Sequence, residues 1–195
     1  MTAQPFHETL STGPAAATAQ KMQALVPVLE TERMILRAPQ ITDFDAFADM
    51  LAPPRGQFYG DCQTREDAWG EFMQLNATWL LRGYGAWALT DRDTGEVLGF
   101  VQIGAEPGDW EPELGWVVSK SAEGKGLAAE AARSIRAYAF NILKLPSLVS
   151  YIDEENTRSV RLAEGLGATR DLEAEGYLTE EETCCVFRHH PKVAA

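Results

Sequence analysis

Apolar positions along this chain follow two rhythms, and the switches between them mark its elements. Met34-Ile35-Leu36-Arg37-Ala38 reads as a first strand, stopped by Pro39. Thr42 with Asp45 predicts a helix start, after which Phe44, Phe47, Ala48 and Leu51 recur at helical spacing until Pro53-Pro54. Thr64 with Asp67 opens a second helix, whose Trp69, Phe72, Met73, Asn76, Trp79 and Leu80 share one face up to Gly83. The period then falls to two. Ala86 to Thr90 and Val97 to Ile103 predict two strands, and the polar loop Asp91-Arg92-Asp93-Thr94-Gly95 between them marks an antiparallel hairpin.

An acidic connection, 105–112, leads into another strand, Glu113–Val118. Beyond Gly124 and Gly126 a helix runs toward Pro146, with Leu127, Ala131, Ile135, Tyr138, Ile142 and Leu145 as its buried stripe and Arg133 and Arg136 on its outer face. Leu148 to Ile152 is a strand, and Asn156 caps a short helix carrying Val160, Leu162, Ala163 and Leu166. Two more strands are expected, around Thr169–Glu173 and over Thr183–His189. The order is β α α β β β α β α β β, an α+β fold with one β-α-β crossover, a mixed central sheet and helices on both faces. Residues 1–28, rich in Ala, Thr and Gln, read as an N-terminal extension with a short helix near Ala15–Leu25 and no chemistry; residues 29–195 read as a single domain.

Composition narrows the function. The chain has 195 residues, 45% of them hydrophobic, enough to bury one full core. No apolar run approaches the roughly 18 residues that a membrane span needs. The N-terminus lacks a basic start followed by an apolar core, so no secretory signal is expected. Cys62, Cys184 and Cys185 read as free thiols, and with them a cytoplasmic location is expected. No Cys/His spacing suits a metal, and His189 and His190 are expected at the surface. A net charge of −12 argues against nucleic acid and favours a cationic partner such as an amine.

The chemistry concentrates after Val118. A strand, a Gly-spaced turn and a helix N-terminus form an anion site, because first-turn amides lack intrahelical partners and the helix dipole favours negative charge. The turn is expected to hold the pyrophosphate of a cofactor. Gly124-x-Gly126-x-x-Ala129 also matches a dinucleotide fingerprint, with Asp153 placed where an acid binds ribose. Against that reading, Ser119 to Glu123 separate the strand from the first glycine, and only about 40 residues follow Asp153, too few for further parallel strands. A Walker loop is excluded, since no Lys-Ser/Thr follows the glycines.

Four pieces carry a family resemblance: Glu113-Leu114-Gly115-Trp116-Val117-Val118, Glu123-Gly124-Lys125-Gly126-Leu127-Ala128-Ala129-Glu130-Ala131, Asn156-x-x-Ser159, and Gly165-Leu166-Gly167-Ala168. In this order the stretch 113–168 resembles the acetyl-CoA site of the GNAT N-acetyltransferase superfamily. Leu29 to Arg37 is similar to the first strand of its RimJ/RimL-like branch, the ribosomal-protein N-terminal acetyltransferases. The resemblance implies acetyl-CoA as co-substrate, no metal, and direct transfer of the acetyl group to a primary amine, either a protein N-terminus or a small molecule. A homodimer is the assembly that family analogy suggests. Cofactor contacts are implied at Val117, Val118, Glu123, Gly124, Lys125, Gly126, Leu127, Ala128, Ala129 and Asn156.

Acetyl transfer to an amine needs a base, a donor for the oxyanion and a proton for the thiolate. Glu113 is the candidate base, with Glu106, Asp109 and Glu111 as alternatives nearby. Ser159 is the implied proton donor to sulfur, and Tyr151 and Tyr177 stand in reserve. Two positions depart from the family pattern. Glu123 stands where Gln or Arg is usual and is expected to turn outward, leaving the amides of 124–129 to bind. Ala163 stands where many members carry a Tyr acid, which keeps open a second reading, a catalytically inactive acyl-CoA-binding sensor or scaffold of the same fold.

Overall fold

Alternation along the central hairpin assigns each face of the sheet its core. In the computed structural model, which describes residues 5–59, 62–178 and 184–191, strand β3 spans Ala86–Asp91 and β4 spans Val97–Gly104. Ala86 and Ala88 point to one face, where they meet Phe44, Phe47, Phe72 and Phe100; Trp87 and Leu89 point to the other, packing with Val101, Ile103 and Ile135. A period of two thus turns a continuous apolar run into two cores, as expected of a strand covered on both sides. Phe44 and Phe47 come from α2 (Phe44–Leu51) and Phe72 from α3 (Arg65–Arg82), while Ile135 lies on α4 (Leu127–Asn141).

The described residues form an eight-stranded sheet in the order β1-β2-β3-β4-β5-β6-β8-β7. Its remaining strands are β1 (Leu29–Glu30), β2 (Met34–Arg37), β5 (Glu113–Val118), β6 (Val149–Asp153), β7 (Thr169–Arg170) and β8 (Cys184–Arg188). All neighbours are antiparallel except β5 and β6, which run parallel across the α4 crossover. Helices therefore cover both faces and the expected mixed α+β sheet is observed. Helix α1 (Gly13–Gln23) precedes the sheet, and α5 (Thr157–Gly165) and α6 (Leu172–Glu175) follow β6.

Several local expectations are corrected. The capping box before α2 is Gln40 with Asp43, not Thr42 with Asp45, because a 3₁₀ turn at Ile41–Asp43 precedes the helix. Helix α4 stops at Asn141, leaving Ile142 66% exposed beyond the stripe. The buried face of α3 is Ala68, Phe72 and Leu75, while Met73 and Leu80 face outward. Instead of a strand over 169–173, a two-residue strand gives way to α6, whose start Asp171 caps through the Ala174 amide. Arg136 and His189 are buried. Arg136 donates to the Leu166 carbonyl, and His189 Nε2 lies 2.9 Å from Ser150 Oγ, while the buried His189 Nδ1 has no hydrogen-bond partner among the described residues. Of the last expected strand, Thr183 lies outside the described residues.

The segment before β1 is tied to the rest. Trp87, fully buried at the centre of β3, donates its indole N–H to the Pro27 carbonyl at 2.8 Å, and Val26 packs on the same core. Further out, Glu8 accepts two hydrogen bonds from Arg65 at 2.8 and 2.9 Å.

Candidate active site

The site begins where two strands part. Glu113 and Val149 are the one Cα pair between β5 and β6. Past it, the Ser150 hydroxyl reaches across to the Leu114 carbonyl at 2.5 Å, and further on only side chains span the gap. There Trp116 Nε1 donates to Ser159 Oγ at 3.2 Å. On its other edge β5 is held close to β4, where a bulge inserts Leu98 and shifts the register between Leu89 and Thr90. Next to it stands Gly99, at which a Cβ would lie 2.4 Å from the Val117 carbonyl oxygen and 2.9 Å from Val118 Cα. Only glycine lets the end of β5 approach so near.

The glycine turn opens the second wall. Gly124 and Gly126 have φ of 70° and 74°, left-handed values that glycine tolerates and L side chains rarely adopt. Gly126 is the N-cap of α4 and, unlike Thr64 on α3 and Asn156 on α5, supplies no side-chain cap. The first intrahelical bond runs from Glu130 N to the Gly126 carbonyl, so the amides of Leu127, Ala128 and Ala129 have no partner within the helix. Arg33 fixes the turn from outside, donating to the Lys125 carbonyl at 2.9 Å and to Glu130 at 2.7 Å.

Two clefts flank the parted strands. The larger, about 440 Å³, runs along Val117 and Val118 to the glycine turn, and Gly124 and Gly126 to Ala129 line it together with Arg55, Arg158 and Arg161. The smaller, about 190 Å³, is lined by Glu106, Asp109, Glu113 and Asp153, with Gln102 and Tyr151. Phe58, Tyr59, Trp116, Asn156 and Ser159 border both, forming a shared wall. One cleft is edged by guanidinium groups and the other by carboxylates. The first suits an anionic ligand with a long thin body; the second suits a cation.

Electrostatics sharpen the contrast. Burial, then Glu106 and Asp109, push the Glu113 carboxyl up to about 8, while a hydrogen bond from the Tyr151 backbone pulls the other way. Glu106 is raised to about 6 by burial and by Glu71 and Asp109. Tyr59 is held well above the usual phenol range by burial, Glu106 and Glu113, so it keeps its proton at neutral pH.

Glu113 is in the acidic cleft and Ser159 in the shared wall. Asn156 does two things: its Oδ1 accepts the Ser159 amide at 3.2 Å, and it borders both clefts. Val117, Val118, Leu127, Ala128 and Ala129 line the larger cleft; Lys125, between the two glycines, is not part of that lining. Glu123 does not turn outward but bonds to Arg55 and Arg158 in the cleft wall. Glu111 is engaged elsewhere, paired with Arg188 at 2.7 Å. Tyr151 lines the acidic cleft, its hydroxyl accepting from the Trp110 and Glu111 amides, whereas Tyr177 is 57% exposed and lines neither cleft. Ala163 is fully buried against Ile152, Ala168 and Phe187 and likewise lines neither. Nothing in the sequence marks Arg55, Phe58 and Tyr59, which sit in an irregular loop without periodicity, or Gln102, which looks like any strand residue.

Residues 33–169 match the family model described as the Acetyltransferase (GNAT) domain. The crystal structure of the acetyltransferase from Agrobacterium tumefaciens str. C58 superposes with a TM-score of 0.79 at 38% identity, covering 85% of this chain and 95% of that one. Among curated sequences, the uncharacterized N-acetyltransferase p20 of Bacillus licheniformis is 29% identical over 164 residues, 78% of this chain and 91% of that protein. The uncharacterized protein YkkB of Bacillus subtilis is 37% identical over 111 residues, which span 54% of this chain and 60% of that protein.

Proposed function

This chain belongs to the GNAT acetyltransferase family, and from that premise we propose that it transfers an acetyl group from acetyl-CoA directly to a primary amine. The observation that carries the reading is the pair of oppositely charged clefts meeting at one wall. The larger cleft fits the donor: uncapped amides at 127–129 and three arginines face its diphosphate, and the free edge of β5 at Val117 and Val118 takes its pantetheine arm. Acetyl-CoA supplies the activated thioester.

The remaining work falls to side chains. An amine enters the smaller cleft as a cation, drawn by the carboxylates of Glu106, Asp109 and Asp153. It must lose a proton before it attacks, and Glu113, poised at about 8, is matched to take that proton near neutral pH. On the donor side of the wall, the Trp116 indole occupies a lone pair of Ser159 Oγ and leaves the hydroxyl hydrogen free to reach the departing sulfur. Tyr59, protonated and bordering both clefts, is a second proton donor in the same wall. The resemblance to the RimJ/RimL-like branch favours a protein N-terminus as acceptor; the acidic cleft fits small amines equally.

The test is a panel of peptides and small amines incubated with acetyl-CoA, read by release of free thiol. Amine-dependent thiol is the expected result. Coenzyme A binding by calorimetry with no thiol from any acceptor would overturn transfer and support the sensor reading.

A further inference from the structure

Glu123 opens the glycine turn, and its Oε1 is shared by two arginines from different segments. Arg55 Nη2, from the loop after α2, stands 2.8 Å away; Arg158 Nη1, from the first turn of α5, stands 3.0 Å away. Arg55 Nη2 also donates to the Val118 carbonyl, where β5 ends, while its buried Nε has no hydrogen-bond partner. All three side chains line the larger cleft, on the same rim as the uncapped amides of α4. Two guanidinium groups thus converge on one carboxylate oxygen. Each offers a five-donor fork suited to phosphate, and most of that capacity is not used by Glu123.

We propose that Arg55 and Arg158 form a clamp for the donor's diphosphate and that Glu123 is an internal anion competing for it. The inference rests on the acetyl-CoA reading above. Charge decides the direction. A carboxylate at the head of the phosphate-binding turn repels an incoming diphosphate and holds the two cations that would receive it. Donor binding then requires the arginines to exchange a single negative charge for a larger one, and the Glu123 carboxylate to swing into water. The cost of that exchange sets the donor affinity.

Calorimetry of CoA, dephospho-CoA and pantetheine against the intact protein, Glu123→Gln and Arg158→Ala tests this. Glu123 and Arg158 have side chains 32% and 71% exposed, so both variants are expected to fold, which a thermal melt checks. The Gln variant should bind CoA and dephospho-CoA about two- to fivefold tighter and pantetheine no differently, the range expected for a partly solvated charge interaction. Arg158→Ala should weaken both nucleotides by a similar factor. Equal or weaker CoA binding by the Gln variant would overturn the competitor role. A gain that extended to pantetheine would show that charge on phosphate is not the cause, and a gain absent from dephospho-CoA would move the clamp to the 3′-phosphate. Failure of the unsubstituted protein to bind CoA would instead sink the donor reading itself, before any variant is compared.

Discussion

Glu113 pays for its place on β5 by holding a proton that an unfolded chain would release. Its folded carboxyl titrates near 8 and its ordinary value is 4.5, so in the window between them the native state binds more protons than the unfolded state. The stability associated with this group is therefore complete below about 4.5 and is lost as pH rises through about 8. Glu113→Gln removes that titration. Its melting temperature should exceed that of the natural protein by a margin that opens across this window, reaching about 1–2 kcal/mol in stability, well below the full worth of the shift because the site is partly solvated. In the same variant, turnover should fall by about 10²-fold or more. CoA affinity should hold, since Glu113 lies outside the larger cleft. In the natural protein kcat/KM should climb between pH 6 and 8 as Glu106 and Glu113 ionise, and a flat profile would remove both carboxylates from the proton transfer. Glu113 was legible in the sequence as a carboxylate on the strand before the glycine turn. Glu106 is legible only as one of three alternatives to Glu113 and Tyr59 not at all, because neither loop has a rhythm that says which side chain turns inward.

At the scale of elements, the turn into α4 shows what glycine does for the site. Gly126→Ala forces a Cβ into a left-handed backbone and should cost about 1–2 kcal/mol in thermal stability. It should also weaken CoA binding measurably, because the same torsion aims the first-turn amides. An unchanged affinity would remove the turn from the donor site. Helix starts proved readable where a side chain closes them: the Thr64–Asp67 box and the Asn156 cap stand as the residue types dictate. The bulge at Leu98 was not readable. It flips the facing of residues across Gly99, and it is defined only against the partner strand, so neither propensity nor period reports it. The same limit applies to α4, where a stripe running on to Leu145 outlasts the helix, because Leu143 and Leu145 still pack on the core after the backbone has turned.

Across the whole molecule, the surplus of acid was plain in the composition but its partition was not. Arg55 and Arg158 come from segments far apart in sequence, as do Glu106 and Asp153, and only the sheet topology sorts them into opposite clefts. The expected boundary at residue 29 is a second case. Nothing in the composition of residues 1–28 signals that the Pro27 carbonyl serves Trp87 or that Glu8 serves Arg65. A chain shortened to begin at residue 29 would leave the buried Trp87 N–H without its acceptor and should lose about 1–3 kcal/mol. A chemical melt of the shortened protein measures this, and an unaltered midpoint would make the preceding segment a mere appendage.

The wall of Phe58, Tyr59, Trp116, Asn156 and Ser159 belongs to both clefts, which gives the two ligands a common boundary instead of separate rooms. Any adjustment of that partition by one occupant alters the shape and field presented to the other. By thermodynamic reciprocity, whatever factor the amine contributes to the hold on coenzyme A must be returned in full by coenzyme A to the hold on the amine.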